Sequence, residues 1–69
     1  MNYKEYAIAL IEDNGYECTI DRYEEPDNNF YGVLEIVIYK EDFSAFCSID
    51  FEDEEDIKQA IIKFFIEEF

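Results

Sequence analysis

The sequence predicts a two-layer α+β domain of order α-β-β-β-α, with a three-stranded antiparallel meander sheet and two helices on one face. Three observations predict it. Apolar residues recur at helical spacing at both ends of the chain, they alternate through its middle, and only short polar links separate the alternating segments. At 69 residues and 8.3 kDa, a single domain over residues 1–69 is expected. A chain this small buries only about 60% of the surface its unfolded form exposes.

The first helix is signalled at both ends. Asn2 is placed to cap it, with Glu5 three residues later as in a capping box, and Asn14-Gly15 supplies the stop. Tyr3, Tyr6, Ala7, Leu10 and Ile11 form its apolar stripe. Glu12 and Asp13 oppose the helix dipole in the last turn, a local conflict with a possible functional cause. From Tyr16 the period becomes two: Tyr16, Cys18 and Ile20 share one face, and Glu17, Thr19, Asp21 and Tyr23 the other. Residues 24–29 read as a loop around Pro26, which has no N–H for a ladder. Residues 30–39 are the strongest strand. Leu34, Ile36 and Ile38 point one way, and Tyr31, Val33, Glu35, Val37 and Tyr39 the other. A tight connection at Lys40-Glu41-Asp42 leads to a third strand with Phe43, Ala45, Cys47, Ile49 and Phe51 inward and Ser44, Phe46, Ser48 and Asp50 outward.

Acids at 52–56 open the last helix, where carboxylates complement the unpaired N–H groups of a first turn. Ile57, Ala60, Ile61, Phe64 and Phe65 make its stripe, and Ile62, Ile66 and Phe69 widen that stripe beyond what one sheet face needs. A homodimer through this helix is one possible use of the surplus. Both helices should cover Cys18, Ile20, Leu34, Ile36, Ile38, Cys47 and Ile49.

Charge sets the functional question. Nineteen Asp and Glu against five Lys and Arg, with no His, give a net charge of −14. Acidic chains are usually disordered and poor in aromatics, but this one carries seven Phe and six Tyr and is 49% hydrophobic. It should fold into an aromatic-rich polyanion. Nucleic acid and anionic membranes would both repel such a surface, so the expected partner is a basic protein. No basic-then-apolar leader and no apolar run of ~20 residues is visible, so a cytoplasmic location is expected. Cys18 and Cys47 are too few for a disulfide framework, and both fall on apolar strand phases as small buried hydrophobes.

The acidic residues admit sharper readings. Asp50, Glu52, Asp53, Glu54, Glu55 and Asp56 lie within seven positions and could attract a hard cation, but an EF-hand's central Gly and closing Glu are missing. A catalytic carboxylate pair needs a cleft that a three-stranded domain hardly provides, so neither an enzyme nor a cofactor is expected. Phe43, Phe51, Phe64 and Phe65 read as core. Tyr23, Tyr31, Tyr39 and Phe46, interleaved with Asp21, Glu35 and Asp50 on the other sheet face, have the composition of an interface or of a solvated face built from strand formers. B-DNA carries one charge per about 1.7 Å, so fourteen charges match roughly 24 Å of duplex. A halophilic solubility surface would explain the same charge.

In this order of elements, with an acid-opened last helix bearing an Ile-rich and Phe-rich stripe, the chain resembles the small acidic anti-CRISPR proteins of phages and mobile elements, particularly inhibitors of the type II effector nuclease. The resemblance covers most of the chain and rests on topology, length and charge, with no diagnostic motif. It implies a DNA mimic whose acids fill the basic groove that reads the PAM duplex of a CRISPR effector nuclease or surveillance complex. Asp50, Glu52, Asp53, Glu54, Glu55 and Asp56 would be the main phosphate surrogates, with Asp21, Glu35, Tyr31 and Tyr39 as secondary contacts. The alternative is an immunity-type or regulatory binding module for a basic protein, without nucleic-acid mimicry.

Overall fold

The computed structural model describes residues 2–68. Its elements follow the predicted order: α1 (Tyr3–Asp13), β1 (Glu17–Glu24), β2 (Gly32–Lys40), β3 (Phe43–Phe51) and α2 (Glu54–Glu68). The three strands form one antiparallel sheet of order β1-β2-β3.

Local chemistry fixes each boundary. The Asn2 side chain accepts a 2.8 Å hydrogen bond from the Glu5 N–H and caps α1. At the other end the Gly15 N–H donates to the Glu12 carbonyl at 3.0 Å. Gly15 itself takes φ +86°, a region that a side chain would strain. The β2–β3 hairpin closes through Glu41 and Asp42 alone, since Lys40 pairs with Phe43, and Glu41 adopts φ 54° to make the turn.

One sheet face is buried. Leu34, Ile36, Ile38, Cys47, Ile49 and Phe51 meet Ala7 and Ile11 of α1 and Ile57, Ile61 and Phe64 of α2 in one core, and no polar residue is buried among the described residues. Each large apolar side chain removed from water contributes about 1.5–3 kcal/mol, the term that must outweigh self-repulsion of the surface charge. Tyr3 packs on Phe51 with ring centroids 5.0 Å apart, and Tyr16 stacks on Phe65 at 4.6 Å. These two contacts fasten the helices at opposite ends of the sheet.

Three sequence expectations are corrected. Tyr23 does not share the outer face with Glu17 and Thr19. A bulge between Ile20 and Arg22 adds one residue to β1, so Tyr23 pairs with Leu34 and packs against the core. Phe43 is not core: it is 51% exposed, because the hairpin tip lies at the very end of the covered face. Tyr31 precedes β2 and so is not a strand residue of the outer face. Of the three residues expected to widen the α2 stripe, Ile62 and Ile66 are exposed and Phe69 lies outside the described residues.

Candidate acidic interface

The fold sorts the acids into two poles. Antiparallel pairing sets the end of β1, the start of β2 and the end of β3 side by side, with Glu24 opposite Val33 and Val33 opposite Asp50. α2 starts immediately beyond. This pole gathers Glu24, Glu25, Asp27, Asp50, Glu52, Asp53, Glu54, Glu55 and Asp56, nine of the nineteen acids. The opposite pole holds the end of α1, the start of β1 and the hairpin tip, with Glu12, Asp13, Glu17, Glu41 and Asp42, and receives the end of α2 with Glu67 and Glu68. Lys40 sits among the acids there, its Nζ 4.8 Å from the centre of the Tyr16 ring. The molecule measures 39 × 20 × 20 Å, so the poles mark the ends of an elongated body.

At the larger pole, the run 52–56 divides by job. Asp53 Oδ1 accepts from the Asp56 N–H at 3.1 Å and caps α2, while Asp56 Oδ2 accepts from the Glu52 N–H at 2.8 Å. The two aspartates thus satisfy backbone donors at the helix start, a variant of the capping box. Glu55 accepts from Gln59 Nε2 at 2.9 Å along the helix. Glu52 and Glu54 project into solvent and carry the charge that has no local structural task. Among the described residues, no three Cys, Asp or Glu side chains converge into a set that could hold a metal ion. The helix start instead fans consecutive carboxylates around its circumference.

The adjoining loop supplies aromatics. The Asp27 side chain accepts from the Asn29 N–H at 2.8 Å and the Phe30 N–H at 2.9 Å, and the Asp27 N–H donates to the Phe30 carbonyl at 3.0 Å. That tight turn pushes Phe30 and Tyr31 outward, 73% and 61% exposed. With Asp27, Asn28, Asn29 and Glu52 they line a shallow open depression of about 250 Å³. Tyr31 therefore joins the main acidic cluster, beside Glu52. Phe30 is a residue that sequence reasoning missed. Its strand-like neighbourhood hid it, although the Asp27-Asn28-Asn29 turn signal before it was readable.

The outer sheet face is a separate surface. Its cross-strand rows are Glu17, Tyr39 and Ser44, then Thr19, Val37 and Phe46, then Arg22, Glu35 and Ser48, then Glu24, Val33 and Asp50. Asp50 belongs to both surfaces. Glu35 does not stand free: Arg22 lies 4.0 Å from it and donates through Nε to Glu24 at 2.6 Å. The hydrogen bond that Arg22 donates to Glu24, and then the Glu24 charge, hold the Arg22 guanidinium more firmly protonated than usual. Asp21 is the extra residue of the bulge and is exposed. Tyr39 lies at the far end of this face from Tyr31, eight residues along the chain or about 26 Å of extended strand. Thus the predicted site is brought together at Asp50, 52–56 and Tyr31, and it is not extended to Tyr39.

Tyr23, displaced inward by the bulge, has its hydroxyl enclosed without a well-formed hydrogen bond. Burial, aided by Glu25, raises its pKa, and the backbone N–H groups of Tyr3 and Lys4 pull the other way. None of the described helices is long and apolar enough to cross a membrane. No protein-family model, no curated protein and no solved structure matches the chain.

Proposed function

We propose that the protein is a DNA-mimicking inhibitor of the anti-CRISPR type, which occupies the duplex-binding groove of a basic effector. The observation that supports this reading is the larger acidic pole, where nine acids gather and two of them, Asp27 and Glu52, line one depression with exposed Phe30 and Tyr31. Averaged over the 39 Å axis, the fourteen net charges are sparser than on B-DNA, which would carry roughly 23 over that length. Mimicry therefore acts locally. Carboxylates of Glu52, Glu54, Glu55 and Asp50 stand in for phosphates at one end, and the two aromatics anchor against apolar surface between the partner's Lys and Arg. The mechanism is steric: with the groove filled, target DNA does not load.

The test is competitive capture. Tagged protein is used to retrieve its partner from nuclease-treated lysate, and short duplex DNA is then added. Release of a basic, nucleic-acid-binding partner by duplex is the expected result. Retention at saturating duplex sinks the mimicry and leaves a binding module that reads a basic protein through another surface, for which exposed Phe46 and Tyr39 on the outer sheet face are the available anchors.

A further inference from the structure

The two edges of the sheet are unlike. The β1 edge is guarded by Glu17, Asp21, Arg22 and Glu24, is broken by the bulge at Ile20/Arg22, and is followed by Pro26. These are the devices by which proteins keep an edge from pairing with another strand. The β3 edge has neither bulge nor proline, and its one charge, Asp50, stands at its end. Its register with β2 runs unbroken from Phe43 to Phe51, and residues 43–49 contain no charge and no proline. In a chain with 35% charged residues, a seven-residue neutral run on an open edge is the exception. Its residues are strand formers with Phe46 exposed at the centre. Beside the edge runs an open groove of about 320 Å³ between β3 and α2, lined by Phe46, Cys47, Ser48, Ala60, Lys63 and Phe64 among others. A fourth strand added here would pair its backbone with β3 and place alternate side chains in that groove.

We infer that the β3 edge captures an extended, basic segment of the partner protein by strand addition. The charge decides the occupant. The neutral run is bracketed by Glu41 and Asp42 at one end and by Asp50, Glu52 and Asp53 at the other; along the groove Lys63 is paired with Glu67 at 3.9 Å, which leaves Glu68 as the surplus charge there. A segment with Lys or Arg near its two ends meets these acids across the ladder. A second copy of this chain does not: antiparallel pairing about Cys47 sets Asp42 opposite Glu52 and Glu41 opposite Asp53. The inference takes only the basic character of the partner from the proposed function. Strand capture and duplex mimicry can therefore fail separately.

Three nine-residue peptides test it on the intact protein. One alternates lysine and valine, one alternates glutamate and valine, and the third is the lysine peptide with two adjacent central amides N-methylated, so that neither of its edges can form a full ladder. The lysine peptide should bind, and alternate amides within residues 43–51 should gain hydrogen-exchange protection. N-methylation should weaken binding at least tenfold, and the glutamate peptide should not bind. Equal binding of the methylated peptide, or no added protection in β3, reduces the contact to charge alone and overturns the inference. So does concentration-dependent self-association of the free protein with β3 amides already protected, which makes a second copy the occupant. If strand capture holds but duplex DNA fails to release the partner, the mimicry is what falls.

Discussion

At the scale of single residues, two positions carry consequences out of proportion to their size. Gly32 is buried where β2 begins. A Cβ there would stand 2.6 Å from Phe51 Cζ, 2.8 Å from Pro26 Cδ and 2.9 Å from the Glu24 carbonyl oxygen. The Phe ring could yield, but the proline ring and the β1 backbone cannot without shifting the strand pair. Gly32→Ala should therefore cost about 1–3 kcal/mol, read as a lower urea midpoint, and an unchanged midpoint would show that Pro26 and the β1 backbone yield freely to a methyl group. Cys47 is the other. Burial pushes its thiol up to about 11, whereas in an unfolded chain it ionises near 8.5. Between those values the unfolded state has released the proton and the native state has not, so this contribution to stability falls as pH rises from about 8.5 to about 11. Burial, and next the charge of Glu12, move Cys18 in the same direction. The stability gap between wild type and Cys47→Ala should accordingly narrow from pH 7.5 to pH 10.5 in urea titrations, and a gap that widens would contradict burial of the thiol. The two thiols should not bridge. Cys18 pairs with Ile38 and Cys47 with Ile36, so the whole of β2 lies between them, about twice the ~4.8 Å strand spacing and beyond the ~7 Å a disulfide tolerates.

Elements show where sequence reasoning reaches and where it stops. Periodicity was enough for all five elements and for the covered sheet face, because a face that must exclude water imposes its period on every strand that builds it. It failed at Tyr23. Nothing in Ile20-Asp21-Arg22-Tyr23 marks a bulge, and alternation extended past an unseen insertion puts the next side chain on the wrong face. Phe43 failed for a different reason: its inward phase was right, but phase does not report whether a helix reaches that far along the sheet. At the candidate site, the cluster at 52–56 was plain from composition, but its division into capping aspartates and projecting glutamates was not. That division makes a prediction about α2. Asp53→Ala removes the acceptor for the Asp56 N–H and should cost about 0.5–2 kcal/mol, even though it relieves repulsion among neighbouring acids. Glu54→Gln with Glu55→Gln keeps both caps and nearly the same helix propensity, so the melting temperature should hold or rise. Partner association should slow in this pair and much less in a Glu12→Gln, Asp13→Asn control at the opposite pole. If the Glu54/Glu55 pair instead lowers the melting temperature as far as Asp53→Ala does, the division of labour within the cluster is wrong.

For the molecule as a whole, one quantity acts on folding and on binding with opposite sign. Fourteen uncompensated negative charges on a body 39 × 20 × 20 Å repel each other in the folded state and relax when the chain expands. Three ion pairs among the described residues, Arg22 with Glu24, Arg22 with Glu35, and Lys63 with Glu67, neutralise little of that charge, and each involves an exposed partner of modest worth. Salt separates the two effects. The Debye length contracts from about 30 Å at 0.01 M to about 10 Å at 0.1 M and 3 Å at 1 M. At the lowest salt each pole still feels the other along the long axis, and by 0.1 M they are largely independent. The melting temperature should therefore rise with salt in two stages, first between ~0.01 and ~0.1 M NaCl as repulsion between the poles is screened, and then toward ~1 M as repulsion within each pole is. Association with a basic partner should run the other way. Its rate should drop between ~0.1 and ~0.5 M, where steering by the larger pole is screened, while dissociation changes less because Phe30 and Tyr31 do not depend on ionic strength. Thermal melts and stopped-flow association over one salt series measure both trends on the same preparation. A melting temperature indifferent to salt would mean that the acids repel too weakly to shape the fold. An association rate indifferent to salt would mean that they do not steer, and the charge would then serve solubility while the contact belonged to the apolar surfaces at Phe46 and Tyr39.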